Sequence, residues 1–517
     1  MPSLEPRPYL IEEYTRSVCP LCFAERPRRS DEASTFVDAM LVSHSDRVWM
    51  RRFCPVHGET ESLYEENLEL WRRRHGWATP TLAITPDRAD NFGGFPDGYR
   101  EGLPASHGQH SCILLLNVTQ NCNYSCPTCY AAALHPGSPT DATSLPTLAE
   151  ISRTVDQTIE REGEKLSVVM VSGGEPTIRP DIEQVLATLM ERNVTRVMLN
   201  TNGRRIARDD RFLRFLQEHR DRIEVYLQFD GFRASTYERL RGEDVSAEKQ
   251  EALQRLAEAK VFHTLVATVC KGVNEDEVGE IIGLGLRTRR CAGVAIQPMF
   301  GSGRTPIYDP LDRATPTGVL SRLADQTGEC ISGEDFIPLP CSHKDCCDIT
   351  YLIKSGDGTW KSLPQLIGRD ELKKWIHLVS NTISFEGASE GVKELVKSGV
   401  LQRVFSEQQK VSAIQLASDI FKMCDCVPGV GDLLGGIASR ISDKRLDQLA
   451  ERTFRITCKM FMDAHTFHEA RIRQCCVHVG TFEEDPRRYS FCWRWLFDDA
   501  RDFPGRNLHR LSVSSNG

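Results

Sequence analysis

The 517-residue sequence has no run of about 18 apolar residues, so no segment has the make-up of a membrane-spanning helix. Peripheral contact with a membrane stays open. The N-terminal stretch MPSLEPRPYLIEEYTRS lacks an apolar core of signal-peptide length, and the expectation is a cytoplasmic protein. Positive charge is not in excess: 64 Lys and Arg against 72 Asp and Glu give a net charge of −8, which disfavours nucleic acid as a partner. Internal repeats and low-complexity tracts are missing too, which speaks against a solenoid or a disordered chain. Hydrophobic residues at 40% and charged residues at 26% describe a globular chain, long enough for about three domains.

Cysteine, by contrast, is abundant, with 19 residues. Without a secretory signal, thiols clustered at short spacings are metal ligands more often than disulfides. They form four groups: Cys19/Cys22/Cys54, Cys122/Cys126/Cys129, Cys341/Cys346/Cys347, and Cys424/Cys426/Cys458/Cys475/Cys476/Cys492. Cys112, Cys270, Cys291 and Cys330 stand apart and read as buried apolar filler.

From residue 112 to about 300, short runs rich in β-branched residues alternate with amphipathic stretches. The runs are 112–119, 166–172, 194–200, 223–229, 262–269 and 293–299, each bounded by Gly, Asn or Asp, which predicts buried parallel strands. Leu148, Ile151, Val155 and Ile159 fall on one helical face, as do Ile182, Val185, Leu186 and Leu189, and Asn274 is expected to cap a helix over EDEVGEIIGLGL. Six strand–helix units in series predict an α/β fold, a partial (β/α)6 TIM-like barrel with its site at the C-terminal ends of the strands. Residues 311–517 mix predicted helices, such as 387–422, with cysteine-bearing loops, and 426–440 is a Gly-rich turn with a short apolar segment.

The segment NVTQNCNYSCPTCYAAA follows the first strand directly. The spacing Cys122-x3-Cys126-x2-Cys129 lets three thiolates converge on one [4Fe–4S] cubane and leaves its fourth iron without a protein ligand. That iron can chelate S-adenosylmethionine (SAM), and an electron from the cluster then releases a 5′-deoxyadenosyl radical. A zinc ion at the same residues would want a fourth Cys or His. Cys19-Pro-Leu-Cys22 and Cys54-Pro-Val-His57 form two knuckles separated by a predicted hairpin, a specific pattern for mononuclear zinc or iron.

With these motifs in place, the sequence resembles the radical SAM superfamily. That resemblance assigns Cys122, Cys126 and Cys129 to the cluster. It assigns Gly173, Gly174, Glu175 and Pro176, at the end of the second strand, to the loop that contacts the methionyl amine of SAM. The residue before the third cysteine is often aromatic in the superfamily and packs on adenine; here it is Thr128, with Tyr130 just beyond. Asn200, Thr201, Asn202 and Gly203, with Gln228 and Asp230, are further lining candidates or else strand-end caps and turns.

The segments CPLC…FCPVHG, VYLQFDGF (225–232), VCKGVNEDEVGEI (269–281), VAIQPMFGSGR (294–304), FIPLPCSHKDC (336–346) and CKMFMDAHTF…RQCCVH…FC narrow the resemblance. They are similar to the group holding tetraether lipid synthase and the class D radical SAM methylases. The resemblance implies a zinc-ribbon- or rubredoxin-like site at Cys19, Cys22, Cys54 and His57. It also implies auxiliary [4Fe–4S] ligands among Cys341, Cys346, Cys458, Cys475 and Cys492, with the choice between Cys346 and Cys347 and between Cys475 and Cys476 open. Three domains follow: 1–104, the N-terminal metal domain; 105–310, the radical SAM core; and 311–517, a helical C-terminal domain with auxiliary iron–sulfur sites. The leading expectation is hydrogen abstraction from an unactivated sp3 carbon for carbon–carbon bond formation, by analogy the coupling of lipid alkyl chains. A class D-like C-methyltransferase is the alternative, and a non-catalytic iron–sulfur electron carrier the third reading. Partners implied are a small-molecule or lipid substrate and an electron donor such as a ferredoxin or flavodoxin.

Overall fold

The computed structural model describes residues 9–25, 35–77, 81–135, 145–163, 165–304, 309–354, 358–370, 372–373 and 453–497. The helix expected over 387–422, the Gly-rich segment 426–440, and Cys424 and Cys426 lie outside the described residues.

Four antiparallel strands form the N-terminal sheet in the order β1 (Leu10–Val18), β2 (Phe36–His44), β3 (Arg47–Cys54), β4 (Gly58–Glu65). The expected hairpin is β2–β3. Ser45 and Asp46 both take positive φ, 51° and 57°, as the tight two-residue turn matching strand twist requires. The sheet buries Leu41, Val48, Met50 and Trp71 on one side. Arg52, fully buried, donates to Ser17 Oγ and Ser62 Oγ and to the carbonyl of His465, and Ser62 Oγ donates to that carbonyl at 2.6 Å, so the sheet is docked on the C-terminal part of the chain.

The second sheet has 12 strands. Its centre is the predicted series: β5 (Ile113–Asn117), β6 (Leu166–Ser172), β7 (Val194–Thr201), β8 (Ile223–Gln228), β9 (Phe262–Val269) and β10 (Cys291–Pro298), all parallel neighbours. Alternation along each strand divides the side chains. Leu114, Leu116, Val169, Val171, Leu199, Val225, Leu227, Leu265 and Ile296 pack against the helices in one core. Ile113, Leu115, Met170, Asn200, Tyr226, Gln228, Thr268 and Gln297 face inward. The first of the covering helices, Leu148–Glu162, starts at a capping box between Thr147 and Glu150 and stops at left-handed Gly163 (φ 88°). It buries Ile151 and Val155, and helix Ile182–Met190 buries Ile182, Val185, Leu186 and Leu189.

One expected cap is different. The helix after β9 runs Val278–Arg287 and begins at Glu277 rather than Asn274. Asn274 is fully buried. Its Nδ2 donates to the carbonyls of Asp230 and Thr268, both at 2.8 Å, and its Oδ1 accepts from Cys270 N at 2.9 Å. The amide satisfies buried backbone groups at two neighbouring strand ends.

Strands from the C-terminal part extend both edges of the six. β14 (Thr453–Lys459) adds in parallel beside β10, and β15 (Val477–Gly480) adds in parallel beside β5. Beyond β14 lie antiparallel β12 (Cys347–Lys354), β11 (Ile337–Pro338) and β13 (Trp360–Ser362), and beyond β15 lies β16 (Arg488–Ser490). The segment 460–476 therefore joins the two edges of the parallel array. No helix of the described residues is long and apolar enough to cross a membrane.

Candidate active site and metal centres

A cavity opens inside the parallel strands. Cys122, Cys126 and Cys129 line it from the loop after β5. That loop is tied down by Cys122 N to Leu134 O (2.7 Å) and Leu134 N to Gln120 O (2.9 Å). Backbone N–H groups of Tyr124 and Ala133 donate to the sulfurs of Cys122 and Cys129, each at 3.4 Å, and such donors stabilise charge on a ligating thiolate. Burial pushes the Cys122 thiol up to about 12 and raises Cys126, so these groups ionise readily only when a metal centre supplies the opposing charge. Three such donors in one wall, beside open space, suit a cluster with one iron left for another ligand.

The Gly-Gly-Glu-Pro loop sits against the cysteine loop, and its glycines serve that contact. Gly173 has φ 140°, and a Cβ there would lie 2.1 Å from Thr119 O; at Gly174 a Cβ would lie 2.2 Å from Asn121 O. Gly174 N and Glu175 N donate to Thr119 O and Asn121 O at 2.8 and 2.9 Å. The Glu175 carboxylate is buried and accepts from Thr177 Oγ1 (2.5 Å), Thr177 N (3.0 Å), Thr201 Oγ1 (2.7 Å) and Asn202 N (2.7 Å), which clamps the ends of β6 and β7 together. Pro176 begins the short turn that follows and is buried away from the cavity.

Asn200, Asn202 and Gln228 line the cavity and belong to a polar chain along the strand ends. Asn200 Nδ2 donates to Ser172 Oγ (3.0 Å) and its Oδ1 accepts from Gln228 Nε2 (2.9 Å); Arg241 Nη2 donates to Gln228 Oε1 (3.2 Å). Asp230 is fully buried behind this row and accepts from Arg241 Nε (2.6 Å), Arg241 Nη2 (2.7 Å) and Thr268 N (3.0 Å). Burial opposes the Arg241 charge, but Asp230 outweighs it and holds the guanidinium well above its ordinary range, next to Cys126. Arg241 ends the helix Ala234–Arg241, and its sequence context RLRGED carries no signal of a site. Thr128 and Tyr130 both line the cavity; the Thr128 hydroxyl donates to Leu240 O at 2.8 Å, and Tyr130 packs among Phe300, Phe491 and Trp495.

At the N-terminus, Cys19, Cys22, Cys54 and His57 bring their ligand atoms within 4.8 Å of one another. Cys22 Sγ is 3.7 Å from Cys54 Sγ and 3.3 Å from His57 Nδ1, and Cys19 and Cys54 sulfurs are 3.6 and 3.7 Å from that nitrogen. Thiolates about 2.3 Å from one tetrahedral ion stand roughly 3.8 Å apart, which these spacings match. Glu25 Oε1, 3.0 Å from His57 Nε2, fixes the ring orientation as carboxylates do behind ligating histidines.

The C-terminal cysteines divide. Cys346, Cys347, Cys475, Cys476 and Cys492 line a second cavity, which shares Lys459, Phe461, Val477 and Phe491 with the first. Arg471 Nε donates to Cys346 Sγ at 3.5 Å. Arg471 is buried and Lys459 half-buried, and the groups that favour their charge are thiols and phenols rather than carboxylates. Two such cations facing sulfur fit an anionic thiolate centre. Cys458 is not part of this lining. It shares the helix-facing core with Phe454 and Ile456, because the pleat of β14 turns it away from its neighbour Lys459. Cys341 stands with Cys112 and Cys476, the three sulfurs lying within 4.8 Å of one another.

Residues 116–285 match the radical SAM superfamily, and residues 11–66 match the HMPTM N-terminal zinc ribbon domain. Over 506 residues the chain is 25% identical to the 7,8-dihydro-6-hydroxymethylpterin dimethyltransferase of Methanocaldococcus jannaschii, an alignment covering 93% of each. Over 315 residues it is 29% identical to a probable GTP 3′,8-cyclase of Thermococcus kodakarensis, covering 56% of this chain and 94% of that one. Among solved structures, Streptococcus suis SuiB bound to S-adenosylmethionine aligns with a TM-score of 0.35 and 15% identity, over 43% of this chain and 47% of its own. The coupling of alkyl chains that headed the expectations is not shown by these similarities. The chain carries a radical SAM domain over residues 116–285 behind an HMPTM-type zinc ribbon over residues 11–66, and it is an enzyme.

Proposed function

We propose that this enzyme methylates carbon on a small, ring-bearing substrate of the pterin kind. The carrying observation is the similarity along 93% of the chain to a pterin dimethyltransferase. The cavity supports it: Tyr226, Phe300, Phe461 and Phe491 provide aromatic wall for a flat ring, and Gln297 provides an amide for its edge.

In this reading Cys122, Cys126 and Cys129 hold the [4Fe–4S] cluster. Gly173, Gly174, Glu175, Asn200, Asn202 and Gln228 form the SAM-binding wall, with Pro176 and Asp230 as positioning residues behind it. When bound, the cluster and SAM supply the radical that removes hydrogen from carbon. The protein's own work is placement and exclusion of water. Glu175 holds the ends of β6 and β7 in register, and Arg241, fixed by Asp230, sets the amide of Gln228. The aromatic wall keeps solvent from the reacting carbon. Cys346, Cys475 and Cys492 hold an auxiliary centre across the shared wall, with Arg471 and Lys459 balancing its charge. Cys19, Cys22, Cys54 and His57 bind zinc or iron as a structural staple of the N-terminal domain. A low-potential one-electron donor, a ferredoxin or flavodoxin, reduces the cluster.

The test gives reconstituted, reduced enzyme SAM, the donor and a dihydropterin, with label in turn in the SAM methyl group and in a methylene carrier. A product heavier by one CH2 and carrying label from either source supports methyl transfer. Unchanged dihydropterin, together with a parallel reaction on an added alkyl lipid whose chains are joined with loss of two hydrogens, replaces it with coupling.

A further inference from the structure

We propose, resting on the pterin reading above, that Lys459 and Gln297 dock the substrate by the lactam edge of its ring, where a carbonyl and a ring N–H stand side by side. They thereby fix which half of the ring meets the SAM-binding wall.

The inward-facing polar side chains of the parallel strands divide into two sets. On β7, β8 and β9, Asn200, Gln228 and Thr268 are already engaged. Gln228 Nε2 donates to Asn200 Oδ1 at 2.9 Å, and Arg241 Nη2 donates to Gln228 Oε1 and Thr268 Oγ1 at 3.2 and 3.3 Å. On β10 and β14, Gln297 and Lys459 line the same cavity and are half-buried, yet their side chains make no hydrogen bond or ion pair among the described residues. Polar groups that enter a cavity without a partner in the protein are the ones left for a ligand.

Strand register explains why these two stand together. Ile296 pairs with Cys458 across the parallel β10–β14 ladder, and both lie in the helix-facing core. The next residue on each strand turns the other way, which sets Gln297 and Lys459 side by side and facing inward. The Lys459 ammonium stands 5.4 Å from the centre of the Phe461 ring. That ring is pinned in turn by Phe300 and Phe491, with centroids 5.3 and 4.1 Å away. Arg471, the other cation near the shared wall, donates to Cys346 Sγ and to the carbonyl of Met460. Lys459 makes no such bond, so its three N–H donors stay available.

The chemistry of the pair selects its partner. A primary amide offers a donor and an acceptor side by side, which match the carbonyl and N–H of a lactam through two hydrogen bonds. An ammonium beside it adds a charge-assisted bond to the same carbonyl. A pterin carries this edge on the half of its ring remote from the reduced half of a dihydropterin. Docked on β10 and β14, the ring turns its reduced half towards β6 and β7, across β9 and β8, where Gly173, Glu175 and Asn200 line the cavity.

The experiment measures, by anaerobic titration calorimetry on the reconstituted full chain with SAM present, the binding of a dihydropterin and of its analogue with C–H in place of the ring carbonyl. Wild type should prefer the carbonyl compound by about 10- to 100-fold, the worth of a hydrogen bond to a charged donor. Lys459→Met should cut that preference about tenfold, Gln297→Met by a smaller factor, and Lys459→Arg should keep most of it. Damage to the neighbouring thiolate centre would weaken both ligands alike and leave their ratio unchanged, so the ratio reads the contact itself. A wild-type ratio retained in Lys459→Met overturns the assignment, as does wild type that binds both rings without preference; either leaves the pterin reading standing. Wild type that binds neither ring overturns the pterin reading and this assignment with it. Should Lys459→Met fail to fold, Gln297→Met decides, and an unchanged ratio there overturns the lactam contact.

Discussion

Replacing Arg241 by Met gives the sharpest stability test of the site's scaffold. The substitution keeps an unbranched stem out to the position of Nε and removes both donors to Asp230, at 2.6 and 2.7 Å, leaving that fully buried carboxylate only Thr268 N at 3.0 Å. Breaking a buried ion pair from one side leaves an uncompensated charge and costs about 3–5 kcal/mol. Asp230→Asn alone strands the guanidinium instead and should cost a similar amount. The double variant Asp230→Asn/Arg241→Met buries no unpaired charge and should lose only about 1–2 kcal/mol beyond wild type, a coupling of several kcal/mol between neighbours. Urea denaturation of the metal-free chain under reducing conditions, followed by far-UV circular dichroism, reads all three. Losses that simply add, or an Arg241→Met loss below about 1 kcal/mol, would refute the claim that this pair braces the cavity wall.

Gly173→Ala would drive its methyl to 2.1 Å from Thr119 O at φ 140°; a loss of about 2–3 kcal/mol and of iron from the central cluster is expected, read by thermal melting and iron quantitation. Burial, with Arg241 nearby, lowers Lys249 from 10.5 to about 8, a gap equivalent to about 3 kcal/mol. Below pH 8 both folded and unfolded chains hold the proton and the folded state bears that whole cost; as pH rises from 8 towards 10.5 the folded state releases it first and the cost fades. Metal-free wild type should therefore gain about 2–3 kcal/mol relative to Lys249→Met over that interval, and a flat difference in urea midpoints contradicts it. Cys22→Ala should remove one metal equivalent and lower the melting temperature of the N-terminal sheet while 5′-deoxyadenosine formation continues; loss of SAM cleavage there would give the ribbon a role beyond stapling.

Much of this fold can be read from the sequence because burial and periodicity coincide. β5 to β10 fall within two residues of the β-branched runs, and the hairpin lies where two knuckles had to be brought together. What could not be read depends on non-local pairing. Nothing in the sequence near 453–459 or 477–480 says that these strands join opposite edges of one array, and that arrangement alone brings Cys112 to Cys341 and Cys476. Cys458 was grouped with the auxiliary ligands through resemblance, whereas strand alternation next to Lys459 sends it into the helix-facing core. Asn274 looked like a cap because Asn before an acidic run commonly is one, but buried carbonyls at two strand ends claim its amide. Arg241 was missed for a related reason: a basic residue in the last turn of a helix ordinarily serves the helix dipole, and only the neighbouring strand ends reveal Asp230 beside it.

If Cys122, Cys126 and Cys129 hold the cluster that cleaves SAM, loss of one of them removes cluster and cleavage together. Reconstituted and reduced wild type and Cys126→Ala, each incubated with SAM, test it through 5′-deoxyadenosine formed and iron bound. The variant is expected to lose about four irons and all SAM cleavage while the metals at the outer sites remain. A Cys126→Ala protein that still forms 5′-deoxyadenosine at the wild-type rate would contradict it.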